Sequence, residues 1–167
     1  MLIYNQTFDI YHCAFRILFS LTVLPEKEYP LGFIRLIDFY ILFPHMVSEV
    51  RLPVKYKSLK NKLKGTQNSY NDIPSPKRLF NDLYNIQIQC INFLSSLGLI
   101  DRGEVLEKKI LKSNTDFPSD IADLIKHEIS NNETLIQIIH SLSEIPYNGT
   151  TGLKSRTGLM EYRYDVD

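Results

Sequence analysis

The chain has 167 residues, 44% of them hydrophobic, which is enough for one compact domain with a real core and no need of disulfide or metal staples. Nineteen Lys and Arg balance nineteen Asp and Glu. That balance excludes a global positive field that would draw in nucleic acid or anionic membrane, so any electrostatic binding must be local.

The opening MLIYNQTFDIYH lacks the basic stretch of a secretory signal. No apolar run approaches the ~20 residues a membrane-spanning helix needs, and Arg16 interrupts the best one. Cys13 and Cys90 sit far apart in apolar helical patterns, without the spacing of a disulfide framework. These features predict a cytoplasmic protein, no membrane contact, and reduced, buried thiols. Residues 8–24 are apolar nearly all round and predict a helix buried on several sides, stopped by Pro25. Residues 31–43 repeat the pattern with Arg35 and Asp38 as their only charges, and Pro44 opens a short turn, HMVSEV.

The character then changes. Arg51, Lys55, Lys57, Lys60, Lys62 and Lys64 meet no acid in their segment, while Leu52, Val54, Tyr56, Leu59 and Leu63 form one apolar stripe. A lysine-faced amphipathic helix is predicted from Val54 onward. GTQNSYNDIPSP is a loop, and Ser75 followed by Pro76 is a strong helix start. Helical spacing continues to Leu97, with a break near Asn85, and stops at Gly98. Beyond it come a turn at 101–103, a short helical piece at 105–108 and a strand at 109–112. The run of helix, LGLI, turn and KKILKS has the look of a winged helix-turn-helix. Two more helices follow at 118–130 and 132–142, and Pro146 closes the helical body.

The tail GTTGLKSRTGLMEYRYDVD begins like a phosphate-binding loop, but only two residues separate its glycines, Leu153 precedes the lysine, and no strand leads in. It ends in an alternation, Tyr162 and Tyr164 against Glu161, Arg163 and Asp165, which predicts a terminal strand pairing with 109–112. Tyrosine and arginine are also common at binding hot spots. His12, His45, His127 and His140 have no metal-ligand spacing among them. No GxSxG elbow or paired carboxylates appear, and buried cysteines behave as small hydrophobes. No enzyme, cofactor or metal is expected. The predicted helix at 86–97, IQIQCINFLSSL, has no Arg or Lys and is poorly equipped for a major groove.

The start YNQTFDIYHCAFRIL, the later IDFYILFPH, VRLP, SPKRLFNDLYNIQ and LGLID, and the terminal GLKSRTGLMEYRYDV resemble a family of bacterial middle-component proteins. These are encoded in three-gene conflict systems, the ABC-three-component systems, whose Lamassu-type members act against phages and plasmids. The resemblance covers nearly the whole chain. It implies a non-enzymatic adaptor that binds an SMC/Rad50-like ABC ATPase and couples it to an effector such as a nuclease, with double-stranded DNA reached through the complex. It carries over no catalytic residues.

The expected architecture is therefore mainly α: one domain with N-terminal helices and a basic amphipathic helix at 1–64, a loop at 65–75, a winged-helix-like part at 76–145, and a tail at 146–167 with a terminal strand. Arg78, Arg156, Glu161, Tyr162 and Arg163 are the expected partner-binding residues. As exposed charges, Arg156 and Arg163 are expected to contribute little to folding. The alternative is a winged-helix DNA-binding regulator that contacts phosphates through Arg51, Lys55, Lys57, Lys60, Lys62 and Lys64 and a wing near 108–112.

Overall fold

A computed structural model describes residues 6–66, 75–101 and 108–165. Asp9 starts the first helix, α1 (Ile10–Val23), where its Oδ1 accepts the N–H groups of Tyr11 and His12 at 2.9 and 3.0 Å. A two-residue strand, β1 (Tyr29–Pro30), leads directly into α2 (Leu31–Leu42), in which every residue from 33 to 41 is buried. Pro44 cannot extend α2, and Pro44–Glu49 forms a 3-10 helix where a turn was expected. A 3-10 turn at Val54–Tyr56 then opens α3 (Lys57–Lys64).

Ser75 caps α4 (Pro76–Asp82) by accepting the Arg78 N–H, and α5 (Tyr84–Ser96) follows after a break at Leu83. Gly98 ends this pair with φ at +74°. After β2 (Lys109–Ile110) come α6 (Ser119–Asn131), α7 (Glu133–Ser143), capped by Asn132, and a short α8 (Leu153–Thr157). The chain is mainly helical. The expected turn at 101–103 and helical piece at 105–108 fall largely outside the described residues.

β1 and β2 pair antiparallel, Tyr29 with Ile110 and Pro30 with Lys109. Ile100 bridges to Lys112, so the 109–112 strand runs between two short neighbours. It does not pair with the tail. The predicted terminal strand is absent among the described residues, and side-chain bonds within the tail are the reason. Asp165 accepts from the Gly149 N–H (3.4 Å) and from Lys154 Nζ (2.8 Å), which folds the end back on itself. Glu161 Oε1 meanwhile takes the Tyr162 and Arg163 N–H groups that an extended ladder would need.

α2 is the centre of the packing, touching α1, α7 and both strands, while α1 also lies against α5, α6 and α7. One polar network crosses this apolar interior. Asp38, with 0% exposure, accepts from Arg16 Nε at 2.6 Å and from Gln87 Nε2 at 2.8 Å. Gln87 Oε1 accepts from Arg35 Nε at 2.8 Å, and Arg35 Nη2 donates to the Phe80 carbonyl at 3.2 Å. The Arg35 guanidinium lies between the rings of Phe80 and Tyr84, 4.3 and 4.7 Å from their centroids. Burial lowers its pKa, countered by Tyr84, Tyr147 and Asp38. The network joins α1, α2, α4 and α5.

Asp38→Ala should destabilise the protein by about 3–5 kcal/mol, because it leaves Arg16 charged and unpaired beside the core; a urea melt measures it. Gly32→Ala is a second test. A Cβ there would lie 2.0 Å from the Tyr147 hydroxyl and 2.7 Å from the Met160 methyl. Tyr147 cannot swing away freely, since its ring meets Phe33 edge-on and Lys154 sits 4.8 Å from its centroid. Overpacking of about 1–3 kcal/mol should outweigh the gain of about 1 kcal/mol in helix propensity. A higher melting temperature would refute that tight approach.

Candidate partner interface

The tail is a built surface. Gly149, at φ +91°, turns the chain out of α7, and Gly152 N donates to the Gly149 carbonyl. A Cβ on Gly152 would lie 2.0 Å from the Asn148 carbonyl oxygen, so only glycine lets the loop close this tightly. Leu153 and Leu159 are buried and anchor α8 to the body. Arg156 is held by two backbone carbonyls, Nε to Thr151 at 2.5 Å and Nη1 to Arg51 at 2.6 Å.

Two amide hydrogen bonds, the larger from the Arg163 N–H, and the charges of Arg163 and Lys77 hold the Glu161 carboxyl below its usual range. Lys77 stands at the start of α4, and Pro76 lines a small cleft with Arg156, Thr157 and Leu159. The structure thus brings Arg156 and Glu161 to the beginning of α4, where the exposed Arg78 sits 4.0 Å from Asp82. Tyr162 is half-buried, whereas Arg163 and Tyr164 stand in solvent, Tyr164 at 90% exposure.

The basic segment does not form one free face. Lys55 pairs with Glu144, the residue after α7, at 2.7 Å, and Tyr56 donates to the same carboxylate. Lys55 first, then Tyr56, lowers the Glu144 pKa. Lys62 reaches Thr134 of α7 at 2.7 Å, and Lys60 donates to the Val50 carbonyl at 3.1 Å. Arg51, Lys57 and Lys64 are exposed, with Arg51 beside the tail and Lys57 and Lys64 at the two ends of α3. Half of the segment therefore holds α3 to its own chain. Long cations can lie along a surface and donate to it, which a count of unmatched lysines does not show.

Cys13 and Cys90 are buried; the neighbouring Cys90 thiol, then burial and the Asp38 charge, push the Cys13 thiol far up, so it stays protonated. Among the described residues no three His, Cys, Asp or Glu side chains come together as metal ligands. No helix of the described residues is long and apolar enough to cross a membrane. A wider cleft of about 610 Å3, lined by Leu21, Tyr29, Lys112, Asp116 and Phe117 among others, mixes charge signs and apolar surface without a converging set of groups. Sequence reasoning missed the Asp38 network. Its one signal was that Arg16, Arg35 and Asp38 are lone charges in apolar helices.

Compared with protein families, residues 2–165 match the family described as ABC-three component (ABC-3C) system Middle Component 5. The chain belongs to this family. The match runs from the first helix through the tail, so the folded tail is part of the family's domain. No curated protein and no solved structure matches the chain. The middle component is thus a mainly helical domain in which the tail, Arg51 and the start of α4 share one side.

The carbonyl contacts of Arg156 change one expectation. Arg156→Ala should lower stability by about 1–2 kcal/mol through loss of two charge-assisted bonds at a half-exposed site. Arg163→Ala should leave it within about 0.5 kcal/mol. Paired denaturation curves measure both, and equal melts would show that Arg156 does not hold the tail.

Proposed function

We propose that this middle component is a non-catalytic adaptor that links an SMC/Rad50-like ABC ATPase to an effector subunit, such as a nuclease, in a defence system against phages and plasmids. Membership in a three-component family supports the adaptor role. The observation that carries the choice of surface is the tail. Tertiary bonds fix it, yet it sets Arg163 and Tyr164 in solvent, with Arg78 on the neighbouring α4. A rigid support beneath exposed Tyr and Arg side chains reduces the ordering entropy lost on binding, and these residue types often anchor interfaces. Arg78, Arg163 and Tyr164 make the contact in this reading. Arg156, Glu161 and Tyr162 hold the surface in shape.

A second reading, a winged-helix regulator of DNA, draws on the short ladder in which the 109–112 strand lies between Tyr29–Pro30 and Ile100. Weighing against it, the exposed residues of α5 include Tyr84, Asn85, Gln89, Asn92 and Ser96 but no Arg or Lys. That face is weak equipment for reading bases.

Co-expression of the three neighbouring components, with a tag on the ATPase, tests the adaptor. Wild-type chain should be captured. The double variant Arg163→Glu with Tyr164→Ala should lose capture by tenfold or more while its own melt stays put, as expected for hot-spot residues worth about 2 kcal/mol or more. Undiminished capture would remove the tail from the interface.

A further inference from the structure

The loop between α7 and α8 closes against the start of the basic segment, and the two form an open cleft of about 460 Å3 lined by Arg51, Thr150, Thr151, Ser155 and Arg156. Two arginines, two threonines and a serine border it, and no acidic residue is among them. Glu49 lines an adjoining small cleft that shares Arg156.

The frame is stiff. Gly152 N donates to Gly149, Leu153 N to Pro146 at 2.7 Å, and Lys154 N to Tyr147, so the backbone carrying the three hydroxyls is tied at successive positions. Arg156 is fixed through Nε and Nη1, and its Nη2 makes no hydrogen bond among the described residues. Donors held in place before a ligand arrives lose little entropy when it binds.

We propose that this cleft binds a phosphate group. A phosphate presents several acceptor oxygens in a tetrahedron and can meet guanidinium and hydroxyl donors together, whereas a carboxylate offers fewer oxygens in one plane. The site is not a glycine-rich phosphate loop, since the lysine such a loop would use, Lys154, is engaged by Asp165 at 2.8 Å. Here side chains make the contacts. No aromatic residue lines the cleft, so it offers no platform for a base. A backbone phosphate of nucleic acid and the phosphate of a free nucleotide are the two sources of this chemistry. The site requires no partner protein, so its failure and that of the adaptor reading are separable.

The test uses the full chain with inorganic phosphate, ATP and a short labelled DNA duplex. In amide NMR spectra, phosphate should move the signals of Thr151 and Ser155. Arg51→Ala is a clean variant, because Arg156 uses only the backbone carbonyl of Arg51. It should weaken binding about tenfold, as expected for one charge-assisted contact. With the duplex it should also lower the salt-dependence slope by about one. Ser155→Ala should act in the same direction, by less, and Lys57→Ala should not affect the phosphate titration. Binding that includes the duplex assigns a nucleic-acid backbone as the source, and binding of phosphate and ATP alone assigns a free phosphate. If none of the three probes binds, or if they bind and Arg51→Ala and Ser155→Ala match wild type, the proposal is wrong.

Discussion

A carboxylate with no exposure to water is among the costliest groups a core can hold, and Asp38 lies in the middle of the most deeply buried helix. It is tolerable because Arg16 comes in from α1 with the opposite charge and Gln87 from α5 with an amide N–H. Gln87 in turn faces Arg35, and Arg35 reaches Phe80 on α4. These bonds have direction, so α1, α2, α4 and α5 meet in one register. Apolar surface alone would permit several arrangements of helices this uniformly hydrophobic. Burial works against the charge of Arg35, but a guanidinium gives up its proton so reluctantly that it remains a cation.

The same logic recurs at the surface with smaller energies. Lys55 and Lys62 bind α3 to α7, Arg156 binds the tail to the segment after α2, and Lys154 binds the tail to itself. The chain spends many of its surface cations on its own carbonyls and carboxylates. On the side that carries the tail, Arg163, Tyr164, Arg78 on α4 and Arg51 next to Arg156 are exposed together or border one cleft. A neutral protein can therefore still present a distinct face to other molecules.

Much of the helical framework was legible because local signals punctuate it. Pro25 and Pro44 stop α1 and α2, Ser75 with Pro76 starts α4, Gly98 closes α5 and Asn132 caps α7. The break between α4 and α5 was legible only to within two residues, at Leu83 where Asn85 was expected. The tail was misread for a physical reason. Its alternation of Tyr162 and Tyr164 against charged residues is a sound strand signal, but Asp165 reaches back 11 residues to Lys154, and Glu161 takes the N–H groups of its next two neighbours, and neither bond shows in the alternation. α8 is too short to carry periodicity, and its flanking glycines signal turns. The Asp38 network was hidden because Arg16 and Gln87 stand 22 and 49 residues away in the chain. The candidate interface was legible as residue types and not as roles, since sequence cannot show that Arg156 donates to Arg51, 105 residues away.

The contact of Gly32 with Tyr147 and Met160 also orders events in time. One end of the central helix is bare where glycine replaces a side chain, and the residues that cover it are made more than a hundred positions later. During synthesis α1 and α2 must leave the ribosome with that flank open to water, and a nascent chain commonly collapses before its distant contacts exist. The flank at Gly32 is covered only once residues 147–160 have been made, although most of the core it adjoins comes from segments made earlier.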